Sequence, residues 1–243
     1  LEISASLDKH KYAFAIPCYE GKIQTETTLS LLDTSGRFSN LRIPHSFLII
    51  RGGALIHDVR NELVHRFLHL TDCDTLICID ADIQWDWDAL LRLLVMSENY
   101  PIVAGCYPSR VDPVKFIVNN TTDRLNEHGL LECDGIGMGF VAIQRQVFEK
   151  MKVPAYEHSK YDKPVKAFFQ LGLQKRENDK IAKPVGEDVW FFREAYKQGF
   201  PCMVDPAISL IHHGSKAYDY QFKDYVKEIL NLEDPTLGDK NGV

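Results

Sequence analysis

The sequence predicts an α/β protein: a single Rossmann-like domain whose mostly parallel central sheet is flanked by helices, with a small antiparallel extension in its second half. Three observations carry this expectation. Strand-like and helix-like stretches alternate through the first half, the order that builds a parallel sheet with right-handed crossovers. The strand-like runs are short, apolar and rich in β-branched residues, as in strands buried on both faces. No linker, internal repeat or low-complexity tract divides the 243 residues, a length suited to one large α/β domain.

Taken in order, Tyr12–Ile16 reads as the first strand, followed by Pro17-Cys18-Tyr19-Glu20-Gly21 and a helix-compatible stretch from Thr25 to Leu32. Phe47–Ile50 reads as a second strand. Leu55–Leu70 reads as an amphipathic helix, with Ile56, Val59, Leu63, Phe67 and Leu70 on one face. Thr75–Ile79 is the expected third strand, Trp87–Met96 the next helix and Ile102–Gly105 another strand. Ligands of such sheets sit beyond the carboxyl ends of the strands, where Pro17–Gly21 and Asp80–Asp82 both fall. The second half is less regular. Lys115–Val118 and Gly139–Gln144 read as strands, and Lys152–Lys183, polar, basic and weakly periodic, as a mobile excursion. Gly186–Gln198 reads as a helix, Met203–Val204 and Ser209–Ile211 as short strands, and Phe222–Leu230 as a terminal helix. This divides the one domain into a first half of about 10–110, a second of about 111–220 and a C-terminal helix of about 221–232.

A chain that is 45% hydrophobic and 26% charged has an ordinary globular balance. No apolar run approaches the ~20 residues of a membrane span. No secretory signal is visible, and a chain beginning at Leu1 rather than Met leaves room for a preceding leader or domain. Six cysteines are scattered without a CxxC pair or zinc spacing, which reads as buried reduced thiols and a reducing compartment. The net charge is −6, yet Lys150–Lys183 carries nine Lys or Arg against four Asp or Glu. A basic segment in an acidic chain fits contact with something anionic, and equally a solvated loop with no partner.

Four clusters carry candidate chemistry. Asp80-Ala81-Asp82 places two carboxylates where a buried strand meets its loop. Hard cations such as Mg²⁺ and Mn²⁺ favour oxygen ligands of this kind and share them with substrate phosphates. Asp134-Gly135-Ile136-Gly137-Met138-Gly139-Phe140 has a glycine at every second position, which lets backbone approach a ligand or simply forms a turn into a strand. It is not the dinucleotide fingerprint. Glu187-Asp188 opens an apolar helix, where carboxylates also suit the helix dipole. His212-His213-Gly214 follows Ser209-Leu210-Ile211, and a histidine at a strand end can complete a metal site or be structural.

In this order the pieces resemble the GT-A class of nucleotide-sugar-dependent glycosyltransferases, especially its family-2-like branch. The resemblance covers roughly Tyr12 to Tyr218. It rests on Ala15-Ile16-Pro17-Cys18-Tyr19, Val59-Arg60-Asn61, Ile79-Asp80-Ala81-Asp82, Asp134–Phe140, Gly186-Glu187-Asp188 and His212-His213-Gly214. It implies a GT-A domain whose first half binds nucleotide and whose second half faces the acceptor.

The resemblance also implies roles. Asp82 is the more direct of two expected carboxylates at the Mn²⁺ or Mg²⁺ site, and Asp80, the other, is expected to reach the ribose or a metal-bound water. His212 is the expected further metal ligand, with His213 as the alternative because the pair leaves the register ambiguous. In an inverting enzyme Asp188 is the base that deprotonates the acceptor hydroxyl, with Glu187 orienting the acceptor or supporting the site. Pro17, Tyr19 and Glu20 are expected to cradle the nucleotide. Arg60 and Asn61 resemble a pair that faces it, although Arg60 also fits a surface helix arginine. Arg110 is a candidate diphosphate or sugar contact. Asp134, Gly137 and Gly139 are expected on the donor-sugar and acceptor side. Trp85 is expected to stack on a sugar or base, or to pack in the core.

The donor implied is a nucleoside-diphosphate sugar, a UDP-sugar first. The acceptor hydroxyl is that of a glycan or, given the basic stretch, of a hydroxylated base in DNA. The Arg51-Gly52-Gly53-Ala54 and Arg60-Asn61 wording resembles viral or phage enzymes more than secretory-pathway ones, which implies a cytoplasmic setting, that of the host for a virus. A nucleotidyltransferase and a non-catalytic sugar- or nucleotide-binding module are the competing classes.

Overall fold

The computed structural model describes residues 7–111, 113–119, 121–175, 180–214 and 216–230. Its first half alternates as expected: β1 (Tyr12–Cys18), α1 (Thr25–Asn40), β2 (His45–Arg51), α2 (Ile56–Leu70), β3 (Thr75–Ile79), β4 (Ile83–Gln84), α3 (Trp87–Asn99) and β5 (Ile102–Ala104). Then come β6 (Val118–Asn119), β7 (Leu131–Cys133), β8 (Gly135–Ile136), β9 (Phe140–Gln144) and α4 (Arg145–Lys150). The remainder is β10 (Ala155–Tyr156), β11 (Val165–Lys166), β12 (Gly172–Gln174), β13 (Lys183–Val185), α5 (Glu187–Lys197), β14 (Cys202–Val204), β15 (Ile211–His213), β16 (Ala217–Tyr218) and α6 (Phe222–Ile229).

The central sheet has seven strands in the order β2-β1-β3-β9-β5-β14-β7. β1 runs parallel to β2 and β3, and β14 parallel to β5, while β9 and β7 pair antiparallel with their neighbours. Five of the seven strands therefore point one way. Side chains alternate between two cores, as the period of a strand requires. Ala13, Ala15, Leu76 and Cys78 face one core, with Val59, Leu63 and Phe67 of α2 and Phe191 and Phe192 of α5. Tyr12, Phe14, Ile16, Ile77 and Ile79 face the other, with Phe38 of α1 and Leu90, Leu93 and Leu94 of α3. Helices cover both faces, so the strands read as unbroken apolar runs.

Helix α1 extends well past the expected Leu32, because Thr34 and Phe38 continue its buried face. The terminal helix ends at Ile229, and residues 231–232 of its expected span lie outside the described residues. All six cysteines are free and buried. Among the described residues no helix is long and apolar enough to cross a membrane.

The stretch 152–183 differs most from expectation. It carries the hairpins β10–β11 and β12–β13, and Val165, Phe168 and Phe169 are buried. Residues 176–179 of the basic stretch lie outside the described residues. Helix α2 holds this segment through side chains. Asn61 both donates to and accepts from the Phe169 backbone, at 2.9 Å each way. Glu62 accepts from Lys160 at 3.1 Å and from Tyr161 at 2.7 Å. These are long-range polar pairings that no periodicity in the segment itself announces.

Candidate active site

Strands β1 and β3 end side by side, and a cleft of about 680 Å³ opens beyond them. Pro17, Tyr19, Glu20, Arg60, Asp80, Asp82 and Arg110 all line it, together with Ile23, Gln24 and Ile56. Seven residues singled out from the sequence thus meet in one space.

The two carboxylates of Asp80-Ala81-Asp82 have different partners. Asp80 faces inward: its Oδ1 accepts from Arg60 Nη2 at 2.8 Å, and its Oδ2 from the Tyr107 hydroxyl at 3.4 Å. Arg60 is 8% exposed and also bonds Glu187, through Nε at 3.3 Å. Its guanidinium therefore ties the end of β3 to the first turn of α5. Burial opposes its charge, but Asp80 and Glu187 outweigh that and raise its pKa. Arg60 lines the cleft with two of its nitrogens held by carboxylates, and so is not a surface arginine.

Asp82 instead meets residues from the far end of the chain. Strand β4, just after it, pairs antiparallel with β15, and this register sets His212 opposite Ile83. His212 Nε2 lies 3.6 Å from Asp82 Oδ1, and Arg110 Nη1 lies 3.0 Å from Oδ2. Burial alone would raise the Asp82 carboxyl, but His212 and Arg110 hold it below its ordinary value. His212 Nδ1 is 2.8 Å from the Pro108 carbonyl, which only accepts, so Nδ1 carries the proton. The neighbouring His213 points elsewhere, with Nε2 2.7 Å from Gln84 Oε1. The structure thus separates the two histidines, and His212 is the one beside Asp82.

Asp188, in the first turn of α5, is half-buried. Its carboxyl is pushed up to about 6, chiefly by burial and then by Glu187, with the Val189 N–H and Arg60 pulling the other way. Tyr107, which the sequence reading had not singled out, joins the parts. Its hydroxyl accepts the Gly139 N–H at 3.2 Å, and its ring packs edge-on to His212 at 5.0 Å. Burial, then the charges of Asp80 and Asp188, push its pKa well up, so the hydroxyl stays protonated. Its only sequence signal was its place just after an apolar strand, three residues before Arg110.

Tyr107 also changes the reading of the glycines. A Cβ on Gly137 would come within 2.4 Å of the Tyr107 hydroxyl, and one on Gly139 within 2.8 Å of both Asp80 Oδ2 and the ring. These glycines leave room for Tyr107 and Asp80. Three other expected residues stand apart from the cleft. Asn61 is buried against Phe169. Trp85 is core: it packs against Phe140, and its ring N–H donates to Thr34 at 3.2 Å. Asp134 does not line the cleft either, although the Gly135 after it approaches Val189, beside Asp188.

The expected metal ligands do not converge as a trio, because Asp80 is turned to Arg60. Among the described residues no group of three or more His, Cys, Asp or Glu forms a metal site. Asp82 Oδ1 and His212 Nε2, 3.6 Å apart, are two suitable ligand atoms side by side. That fits Mg²⁺ or Mn²⁺, which take one or two protein ligands and complete their shell with waters and substrate phosphates. The Pro108 carbonyl on Nδ1 is the kind of outer contact that fixes a ligating imidazole.

No protein-family model and no curated protein matches the chain. Among solved structures, A197 from STIV is similar over 84% of this chain and 86% of that one, with a TM-score of 0.55 and 20% identity. GalNAc-T7, solved with UDP, GalNAc and Mn²⁺, aligns over 84% of this chain and 43% of its own length, with a TM-score of 0.47 and 10% identity. The chain spans less than half of that protein, and a likeness so slight carries no argument. At 20% identity the likeness to A197 speaks for the α/β fold alone.

Proposed function

We propose that this protein is a metal-dependent glycosyltransferase of the GT-A class, moving a sugar from a nucleoside-diphosphate sugar to an acceptor hydroxyl. The observation that carries the reading is the meeting of His212 Nε2 with Asp82, a residue that lines the cleft with Pro17, Tyr19, Glu20, Asp80 and Arg110. Asp82 and His212 are the residues that would hold Mn²⁺ or Mg²⁺. When bound, the ion supplies positive charge for the leaving diphosphate. Arg110, held by Asp82 and the His213 carbonyl, adds a cation on the same side for a phosphate oxygen. Tyr19, exposed beside Glu20, takes the nucleotide face of the cleft.

Asp188 is the base of an inverting transfer. Its carboxylate takes the proton of the acceptor hydroxyl as that oxygen bonds the anomeric carbon. The bond from that carbon to the diphosphate breaks, and its electron pair leaves with the diphosphate. A base with a pKa of about 6 is ionised at neutral pH yet basic enough to accept the proton. Glu187, anchored by Arg60, supports its position.

The test is a screen of nucleotide sugars, UDP-sugars first, for slow release of nucleoside diphosphate without acceptor. Chelator should abolish release and Mn²⁺ restore it, and Asp82→Asn should remove the Mn²⁺ response. Pyrophosphate release would instead identify a nucleotidyltransferase. Donor binding without any turnover, acceptors from glycans to hydroxylated DNA included, would leave a binding module.

A further inference from the structure

Among the described residues, each carboxylate that lines the cleft has a cation of its own in the same lining. Glu20 lies 3.3 Å from Lys22, Asp80 2.8 Å from Arg60 and Asp82 3.0 Å from Arg110. The pairs differ in strength. Glu20–Lys22 is well exposed, and such pairs hold little. Asp80–Arg60 is the buried clamp that runs on to Glu187. Asp82–Arg110 lies between them, with side chains 23% and 49% exposed, and it sits where the ion is proposed to bind.

The fold seats Arg110 on Asp82. Arg110 Nη1 also donates to the His213 carbonyl at 3.3 Å. The His213 N–H in turn donates to the Asp82 carbonyl at 2.8 Å, so the pairing of β4 with β15 fixes both groups that the guanidinium touches. Gly214 leaves space for the arginine stem, since a Cβ there would come within 2.7 Å of Arg110 Cδ.

This charge balance sets how an ion and a diphosphate can enter. To a divalent cation alone, the site offers one carboxylate that already carries a guanidinium, and like charges repel at short range. To a diphosphate alone, it offers Arg60 and Arg110 already engaged by carboxylates. Both are served when they enter together. Asp82 then goes to the cation with His212, and the Arg110 fork goes to phosphate oxygens, which suit its planar donors.

Resting on the metal-dependent reading above, we infer that Arg110 is a charge gate on the ion site. It opposes a divalent cation alone, and it exchanges Asp82 for a phosphate oxygen when cation and diphosphate enter together. By linkage, cation and nucleoside diphosphate raise each other's affinity by one common factor, and Arg110 supplies part of that factor.

The experiment titrates the full chain with Mn²⁺, read by loss of the free-ion EPR signal, first without nucleotide and then with UDP. Arg110→Met should bind Mn²⁺ alone at least about threefold more tightly than the parent, a scale set by a part-exposed ion pair. The factor by which UDP improves Mn²⁺ binding should shrink at least about threefold in that variant. Arg110→Lys keeps the charge and should stay nearer the parent than Arg110→Met on both readouts. Unchanged or weaker Mn²⁺ binding in Arg110→Met would overturn the gate and leave Arg110 as a support of the Asp82 carboxylate. Tighter binding with an undiminished gain from UDP would overturn the exchange. A parent that takes up no Mn²⁺ at about 1 mM, with or without UDP, would instead remove the metal reading of Asp82 and His212, and the gate with it. None of these readouts depends on glycosyl transfer.

Discussion

Replacing Arg60 by Met probes the charge arrangement behind the cleft. Met keeps much of the apolar stem but removes the guanidinium that joins Asp80 at 2.8 Å and Glu187 at 3.3 Å. Taking one partner from a buried ion pair costs about 3–5 kcal/mol, because the other charge is left unpaired. Glu187 is 14% exposed at its side chain and Asp80 25%, so Asp80 regains some water and the lower end applies. For a chain of this size each kcal/mol moves the melting midpoint by about 2–4 °C, so R60M should melt roughly 6–12 °C lower. The assay is calorimetry of the parent, R60M, D80N and R60M/D80N. Because Asp80 and Arg60 touch, the double variant should be more stable than the sum of the single losses by at least about 1 kcal/mol. Arg60 also pulls the Asp188 pKa down, so R60M should move the acid limb of the rate profile above its parental position near 6. A loss of less than about 2 °C, or strict additivity in the cycle, would refute the clamp.

Two further predictions concern neighbours of that clamp. Burial raises Asp188 from 3.8 to about 6, so the folded state holds a proton that the unfolded chain releases. That contribution to stability is present below the unfolded value and is lost as pH rises through about 6. Asp188→Asn should therefore stabilise the protein above pH 6, by up to about 3 kcal/mol, and lower turnover by about 10²-fold or more while sparing donor binding. Equal stability of the two proteins above pH 6 contradicts the burial argument, and full activity removes Asp188 as the base. Tyr107→Phe deletes the acceptor of the buried Gly139 N–H and a donor to Asp80. It should cost about 1–3 kcal/mol in a denaturant titration, and an unchanged midpoint would mean that water replaces the hydroxyl.

Most of the first half of the fold was legible because its information is local. The runs Tyr12–Cys18 and Thr75–Ile79 are apolar enough to need cover on both faces, and α2 declares its buried stripe at helical spacing. The stretch after α4 was not legible. Its segment around Lys160–Phe169 is held by Asn61 and Glu62, polar residues about a hundred positions away that no periodicity marks. Asn61, the chain neighbour of Arg60, turns instead to Phe169, because a helix sets adjacent side chains about 100° apart. Trp85 was open between stacking on a ligand and packing, and the Thr34 hydroxyl beside its N–H places it in the core.

The sequence by itself determined the α/β class, the strand ends at which a cleft must lie, and the carboxylates and histidines available there. Tertiary structure decided which of them meet. The register of β4 against β15 set His212, rather than His213, beside Asp82. The packing of α2 and α5 on one face of the sheet gave Arg60 to Asp80 and Glu187 together. Tyr107 filled the space that Gly137 and Gly139 leave. The physical reason is range: apolar periodicity acts within a turn or a strand and is written locally, whereas hydrogen bonds and ion pairs need contact, which only the folded chain supplies.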